Sequence, residues 1–357
     1  MRRRSGVSLA PYTTLGVGGP AAHFLEADDE ADVREALVLA SERELPIMVL
    51  GGGSNLLVAD RGYHGIVLRL GRASIDADER GEAALVRVSA GTPWDALVAW
   101  SVERGYAGLE CLSGIPGDVG AAPMQNIGAY GAEVGPSIRS VEVVSRATGE
   151  ASSIAAEACG FGYRESVFKA ELAERYVVVG VTLGLSKGPP RIAYAELERA
   201  LAGNPSPSLA EVRAAVLAVR RAKSMVLDAT DPDARSAGSF FVNPTLSPDD
   251  ADRVLERARA RGVSDPMPRF GHGAAVKLSA GWLIERAGLA KGTRRGAVGL
   301  STKHCLALVT APGATAVDVV AFASEVRARV RDAFGVRLSP EPRAYGFEGG
   351  ELDGLYG

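Results

Sequence analysis

Two glycine-rich stretches carry the strongest chemical signal in this chain: Gly51-Gly52-Gly53-Ser54-Asn55, directly after the apolar run 47–50, and the segment 113–133. The second holds five glycines and two prolines in 21 residues. Gly costs backbone entropy and Pro removes a donor, so neither a helix nor a central strand fits this composition. It reads as a long, shaped loop, to which Ile115, Val119, Met124, Ile127 and Tyr130 give the apolar anchors that a disordered segment lacks. Glycines in such loops let backbone N–H groups close on a flat anion, the chemistry of a nest around a pyrophosphate. Two nests suggest one dinucleotide held from two sides. The plainer alternatives are a tight crossover loop and an ordinary turn.

Three further residues have chemical potential. Arg164 lies in Phe161-Gly162-Tyr163-Arg164, where a guanidinium among aromatics and small residues is suited to a buried carboxylate or phosphate, or to a structural ion pair. Ser239 follows Ala237-Gly238 and precedes two Phe, a setting for a hydroxyl facing a dry pocket or for a turn residue. Glu341 stands between Pro340 and Pro342, whose rigidity would fix its direction if it is more than a surface carboxylate.

The elements that must position these residues follow from periodicity and caps. A helix is expected at 28–45 and a buried strand at 47–50. Strands follow at 65–70 and 84–90, then a helix capped by Thr92 with Pro93 at its first position. Strands at 138–145 and 176–185 are joined through a turn at 148–149 and a short helix near 154–158. Another short helix is expected at 194–202. Ser208-Leu209-Ala210-Glu211 is a capping box opening a helix to about residue 222. Ser247 caps a helix to 261, and the remainder alternates: strand 274–278, helix 279–287, strand 305–310, helix 315–334, strand 336–338. Gly16-x-Gly18-x-x-Ala21 resembles a dinucleotide fingerprint, but no strand precedes it and Pro20 breaks it.

Composition bounds the class. With 357 residues, 46% apolar and 23% charged, the chain is expected to fold as two or three globular domains. A formal charge of −3 offers no basic field for nucleic acid, and no apolar run approaches the roughly 18 residues of a membrane span. Arg2-Arg3-Arg4 has no apolar segment after it, so a cytoplasmic protein is expected. Cys111, Cys159 and Cys305 read as packing residues, and His23, His64, His272 and His304 lack metal-ligand spacing, so no metal is expected. Only six of the forty basic residues are Lys, so a Lys in a special context weighs slightly more than usual.

Five motifs occur together and in order: Gly51 to Asn55; Gly114-Ile115-Pro116-Gly117 with Gln125-Asn126-x-Gly128-Ala129-Tyr130-Gly131; Tyr163-Arg164-x-Ser166-x-Phe168-Lys169; Gly238-Ser239-Phe240-Phe241-x-Asn243-Pro244; and Pro340-Glu341. Over about residues 13–346 the chain closely resembles the UDP-N-acetylenolpyruvoylglucosamine reductase family, flavoenzymes of bacterial peptidoglycan synthesis. The resemblance implies an α+β fold with an FAD-binding region of the vanillyl-alcohol-oxidase (PCMH) type in two subdomains and a C-terminal α+β substrate-binding domain. The expected boundaries are 1–75 and 76–222 for the FAD subdomains and 223–335 for the substrate domain, with 336–357 returning to the FAD side.

The resemblance further implies that FAD is held by Gly51, Gly52, Gly53, Ser54, Asn55, Ile115, Pro116, Gly117, Gly120, Ala121, Asn126, Gly128 and Tyr130. It assigns Arg164, Ser239 and Glu341 as catalytic, and Tyr163, Tyr194, Lys223, Asn243 and His304 as substrate contacts. NADPH and UDP-N-acetylglucosamine enolpyruvate are the implied small-molecule substrates, and a monomer is expected. Two departures stand out: Val242 where many members carry Lys, and Ala121-Ala122 where many have a Gly pair. The competing readings are another oxidoreductase of the same flavin fold, and a non-catalytic flavin or nucleotide-sugar sensor.

Overall fold

A computed structural model describes residues 1–170, 172, 174–270 and 275–357. The chain forms two compact units. The first comprises residues 1–7, 21–53 and 64–227, and the second 8–20, 54–63 and 228–357.

Among the described residues the first unit contains two main sheets, besides the two-stranded pair Gly128–Ala129 with Ala132–Glu133. In the smaller, the strands run in the order Arg2–Ser8, Pro20–Ala27, Tyr63–Leu70, Ile47–Leu50, the last two parallel. Helix Glu30–Glu42 begins where the Asp29 side chain accepts from the Asp32 N–H, and it buries Val33, Ala36, Leu37 and Ala40 in one cluster with Leu25, Ile66 and Leu68. The larger sheet is antiparallel and centred on Tyr176–Lys187, which pairs with Ile138–Ser145 on one side and Ala83–Ser89 on the other. That central strand is nearly continuously apolar because both of its faces are covered. Helix Leu209–Ala222 opens on the expected reciprocal Ser208–Glu211 box.

The second unit has a sheet in the order Ser236–Ser239, Ala307–Thr310, Val298–Leu300, Arg294–Arg295. Helix Ala316–Phe334 belongs to the same core, which also holds Phe240, Phe241 and Trp282. The first two amides of that helix, Ala316 and Val317, donate to the two oxygens of Asp60 at 2.7 and 3.0 Å. This cap, and the parallel pairing of Leu56–Val58 with Arg343–Tyr345, draw residues 54–63 into the second unit.

Several expectations are corrected. No strand forms at 336–338, where Val336 and Leu338 are buried in irregular chain; the strand is Arg343–Tyr345. A helix near 154–158 is replaced by strand Ala151–Ala155 and the 3-10 turn Ala156–Cys159, because the segment completes a hairpin with Ile138–Ser145. Thr92 does not cap its helix: Pro93 holds that position, and the Thr92 hydroxyl donates to the Ser74 carbonyl at 3.2 Å. The strand expected at 274–278 is Val276–Leu278; Ala274 and His272 lie outside the described residues. Residues 13–22 run from an irregular segment directly into strand Pro20–Ala27 rather than into a helix, in keeping with the rejection of a dinucleotide fingerprint there.

Candidate active site

Within the first unit the two glycine stretches meet. A Cβ on Gly52 would lie 2.6 Å from the Gly117 Cα, and one on Gly51 would lie 3.8 Å from the Ala121 Cβ. Gly117 has φ +125°, a region that side-chain-bearing residues rarely enter. The long loop is pinned from behind. The Gly114 N–H donates to Asp95 Oδ1 at 2.6 Å, while the Trp94 N–H donates to the Gly117 carbonyl and the Val119 N–H to the Thr92 carbonyl, each at 2.9 Å. Asp95 is in turn gripped by both terminal nitrogens of Arg213, at 2.6 and 2.8 Å. Burial works to raise the Asp95 carboxyl, but the hydrogen bonds from Arg213 and the Gly114 N–H outweigh it and hold it below the usual range.

The result is a seam of bare backbone, with Gly52 and Ala121 exposed. Such a surface suits a flat, anionic dinucleotide such as FAD, because glycines let a ligand come close to the main chain. Ile115 and Pro116 are half-buried in the same loop. Gly120 serves the packing: its N–H donates to the Ala90 carbonyl at 2.9 Å, and a Cβ there would fall 2.6 Å from the Ala90 Cβ. Gly53 closes the stretch in the first unit with φ +64°, while Ser54 and Asn55 fall in the second.

The far half of the long loop bonds to the segment that carries Arg164. Asn126, buried and at φ +46°, uses its whole amide on the protein. Its Nδ2 donates to Glu133 Oε2 at 2.8 Å and to the Gly162 carbonyl at 3.0 Å, and its Oδ1 accepts from the Gly135 N–H at 2.8 Å. The Ser166 hydroxyl donates to the Met124 carbonyl at 2.7 Å, and Arg164 Nη2 to the Gly128 carbonyl at 3.1 Å. Arg164 itself sits at φ +57°, with its guanidinium 6.0 Å from the Tyr163 ring centroid. Asn126, Ser166 and Arg164 itself therefore lock the Arg164 segment to the loop.

Beside it, Tyr130 stacks edge-on against Tyr194, ring centroids 5.5 Å apart. Burial pushes the Tyr130 phenol up to about 12. Burial also lowers Arg220, which Tyr130 and Asp95 counter and Arg164 reinforces. Lys223 Nζ donates to Glu196 Oε2 at 2.5 Å. The first unit thus brings Tyr130, Arg164, Tyr194, Arg220 and Lys223 into one cationic, aromatic neighbourhood.

In the second unit, Ser239 ends a strand that pairs with Ala307, just after Gly238 at φ +69°. The Phe240 N–H donates to the Leu306 carbonyl and the Glu341 N–H to the Phe240 carbonyl, both at 2.8 Å, so Ser239 and Glu341 sit on adjoining segments. Asn55 Nδ2 donates to the Glu341 carbonyl at 3.3 Å, which fixes the Glu341 backbone from its other side. Asn243 Oδ1 accepts from the Ala280 N–H at 2.9 Å, a helix-capping task. His304 Nδ1 accepts from the Leu306 N–H at 3.2 Å, which makes Nε2 the protonated nitrogen of the neutral ring. The turn that carries His304 is organised by buried Asp233, whose Oδ2 accepts from the Ser301 and Thr302 hydroxyls, both at 2.8 Å, and from the Thr302 N–H at 2.7 Å.

Comparison with known proteins places this geometry. Residues 21–154 match the FAD binding domain family, and residues 231–345 match the C-terminal domain of UDP-N-acetylenolpyruvoylglucosamine reductase. A UDP-N-acetylenolpyruvoylglucosamine reductase of Thermobifida fusca is 47% identical over 344 residues, covering 94% of this chain and 96% of that protein. The chain belongs to the UDP-N-acetylenolpyruvoylglucosamine reductase family. A reductase of Saccharopolyspora erythraea is 45% identical over 94% of each chain. The crystal structure of the Thermus caldophilus reductase aligns over 97% of this chain and 98% of that one, with a TM-score of 0.65 at 29% identity. The expected α+β fold with an FAD-binding region and a C-terminal reductase domain agrees with these matches.

For a chain of this reductase family, sequence reasoning missed the residues that hold the site rather than form it: Asp95, Arg213, Glu196 and Asp233 (the Asp95–Arg213 pair is 118 residues apart). Arg220 was missed as well, although it stands three residues before Lys223 in the sequence. No helix among the described residues is long and apolar enough to cross a membrane.

Proposed function

We propose that the protein reduces the enolpyruvyl double bond of UDP-N-acetylglucosamine enolpyruvate, giving UDP-N-acetylmuramate for peptidoglycan, with NADPH as reductant. The observation that carries this reading is the joining of both glycine stretches into one backbone cradle in a chain 47% identical to a reductase of that name. Bound FAD would supply the hydride chemistry that links NADPH to the enolpyruvyl double bond. Gly51, Gly52, Gly53, Ile115, Pro116 and Gly117 would hold it by main-chain contact, with Tyr130 beyond them.

Hydride addition to the terminal carbon pushes an electron pair onto the adjacent carbon and into the substrate carboxylate. Arg164 stabilises that charge; removing one preorganised donor of this kind typically costs about 3–4 kcal/mol of barrier. Ser239 Oγ–H donates the proton that completes the addition, a contribution of about 10²- to 10⁴-fold for general acid catalysis. Glu341 orients the substrate, its main chain being held by Phe240 and Asn55. Tyr163, Tyr194, Lys223, Asn243 and His304 supply nucleotide and sugar contacts. Lys223 is a point charge suited to a diphosphate, which would displace Glu196 as its partner. We read the working form as a cytoplasmic monomer.

The test is anaerobic NADPH consumption by the FAD-loaded protein with and without UDP-N-acetylglucosamine enolpyruvate. Substrate-dependent oxidation that yields UDP-N-acetylmuramate is the expected result. Flavin reduction without transfer to that substrate would overturn the assignment.

A further inference from the structure

Asp118 places a carboxyl at the seam of the glycine cradle: a Cβ on Gly51 would stand 3.7 Å from its Oδ2. It occupies the N-cap position of the 3-10 turn Val119–Gln125, where an Asp side chain ordinarily accepts an N–H of the first turn. Here, within the described residues, the side chain makes no capping hydrogen bond. Its backbone is fixed instead: Asp118 bridges Pro93, and its carbonyl accepts from the Ala121 N–H at 3.0 Å. The carboxyl is thus held against the Gly51 stretch rather than over its own turn.

That position is awkward for an anion. Burial pushes Asp118 up to about 6, against a lowering by Arg69. Arg69, on strand Tyr63–Leu70, shares its charge with Glu26, Nη1 to Oε1 being 3.5 Å. On the neighbouring helix, Asp95 turns its oxygens to Arg213 and the Gly114 N–H. An ionised carboxylate beside a dinucleotide pyrophosphate meets like charge, whereas the protonated acid is a hydrogen-bond donor.

We propose that Asp118 is a further FAD-binding residue that acts in its protonated form, so that FAD binding takes up one proton and tightens as pH falls. The proposal rests on the reading of the cradle as the flavin site. The proton comes from solvent, no bond other than the carboxyl O–H forms, and no oxidation change is involved.

The decisive experiment is titration of FAD into the flavin-free protein between pH 5.5 and 8.5, followed by quenching of flavin fluorescence. Calorimetry at pH 7.5 in two buffers of different ionisation enthalpy accompanies it. For uptake of one proton, the apparent Kd rises about tenfold per pH unit above the free carboxyl's midpoint. Close to one proton is then absorbed per FAD at pH 7.5. Asp118→Asn, which keeps an N–H donor and cannot ionise, flattens the profile and binds FAD more tightly than the unaltered protein at pH 8. A pH-independent Kd with no proton uptake overturns the proposal while leaving the flavin site standing; absence of FAD binding at every pH overturns both. If Asp118→Asn fails to fold, the pH profile and proton count of the unaltered protein still decide.

Discussion

Gly52 and Gly117 are so closely apposed that a Cβ on the first would stand 2.6 Å from the Cα of the second. The contact is backbone on backbone, so no rotamer change relieves it. Gly52→Ala therefore forces the two loops apart at the seam. We expect FAD affinity to fall at least tenfold, about 1.4 kcal/mol, in a fluorescence titration of the flavin-free protein. Unchanged affinity would place the flavin elsewhere.

Ser239 and the first-unit cradle serve different half-reactions in the proposed scheme. Ser239→Ala should leave reduction of the bound flavin by NADPH within about twofold, and slow its reoxidation by the enolpyruvyl substrate at least about a hundredfold, the lower range of general acid catalysis. Anaerobic stopped-flow absorbance of the flavin separates the two. Equal losses in both halves would remove the proton-donor role.

These positions also mark what local sequence conveys. Two of the three expected caps form, Ser208 with Glu211 and Ser247 with Asp250, and they were legible because they involve residues three apart. Glycine runs were legible because no regular element tolerates them. Strand Arg343–Tyr345 was not, being three half-buried residues whose partner, Leu56–Val58, lies near the other end of the chain. Asn126 shows a different limit. The resemblance implies a flavin contact at Asn126, and the fold adds a task that no local pattern announces: its amide bonds Glu133, Gly162 and Gly135. A polar side chain in a loop announces hydrogen-bonding capacity, and only the fold decides whether a ligand or another loop takes it.

Glu341 gains a third support from the end of the chain. The Tyr356 hydroxyl donates to the Pro342 carbonyl, one residue beyond Glu341, and burial raises its phenol above the usual range. Tyr356→Phe removes that hydrogen bond while preserving the ring. A loss of about 0.5–1.5 kcal/mol of stability is expected from the bond itself. If the contact positions Glu341, kcat with the enolpyruvyl substrate falls by more than flavin reduction by NADPH does. Parallel effects on both would make it a purely structural bond.

Asp95 offers a test of the cradle's support through pH. Its folded carboxyl lies below its ordinary value, so the stability it contributes is present at pH above the unfolded-state value of 3.8 and is lost as pH falls through the folded one. Asp95→Asn should therefore melt below the unaltered protein at pH 7, and the two melting temperatures should draw together on acidification below about pH 4. The Gly114 N–H also loses its anionic acceptor in the variant, so FAD affinity should weaken at pH 7 alongside the melting temperature. A constant gap between the two melting curves from pH 7 to about pH 3 would mean that the carboxylate's charge contributes nothing and that Asp95 acts by shape alone.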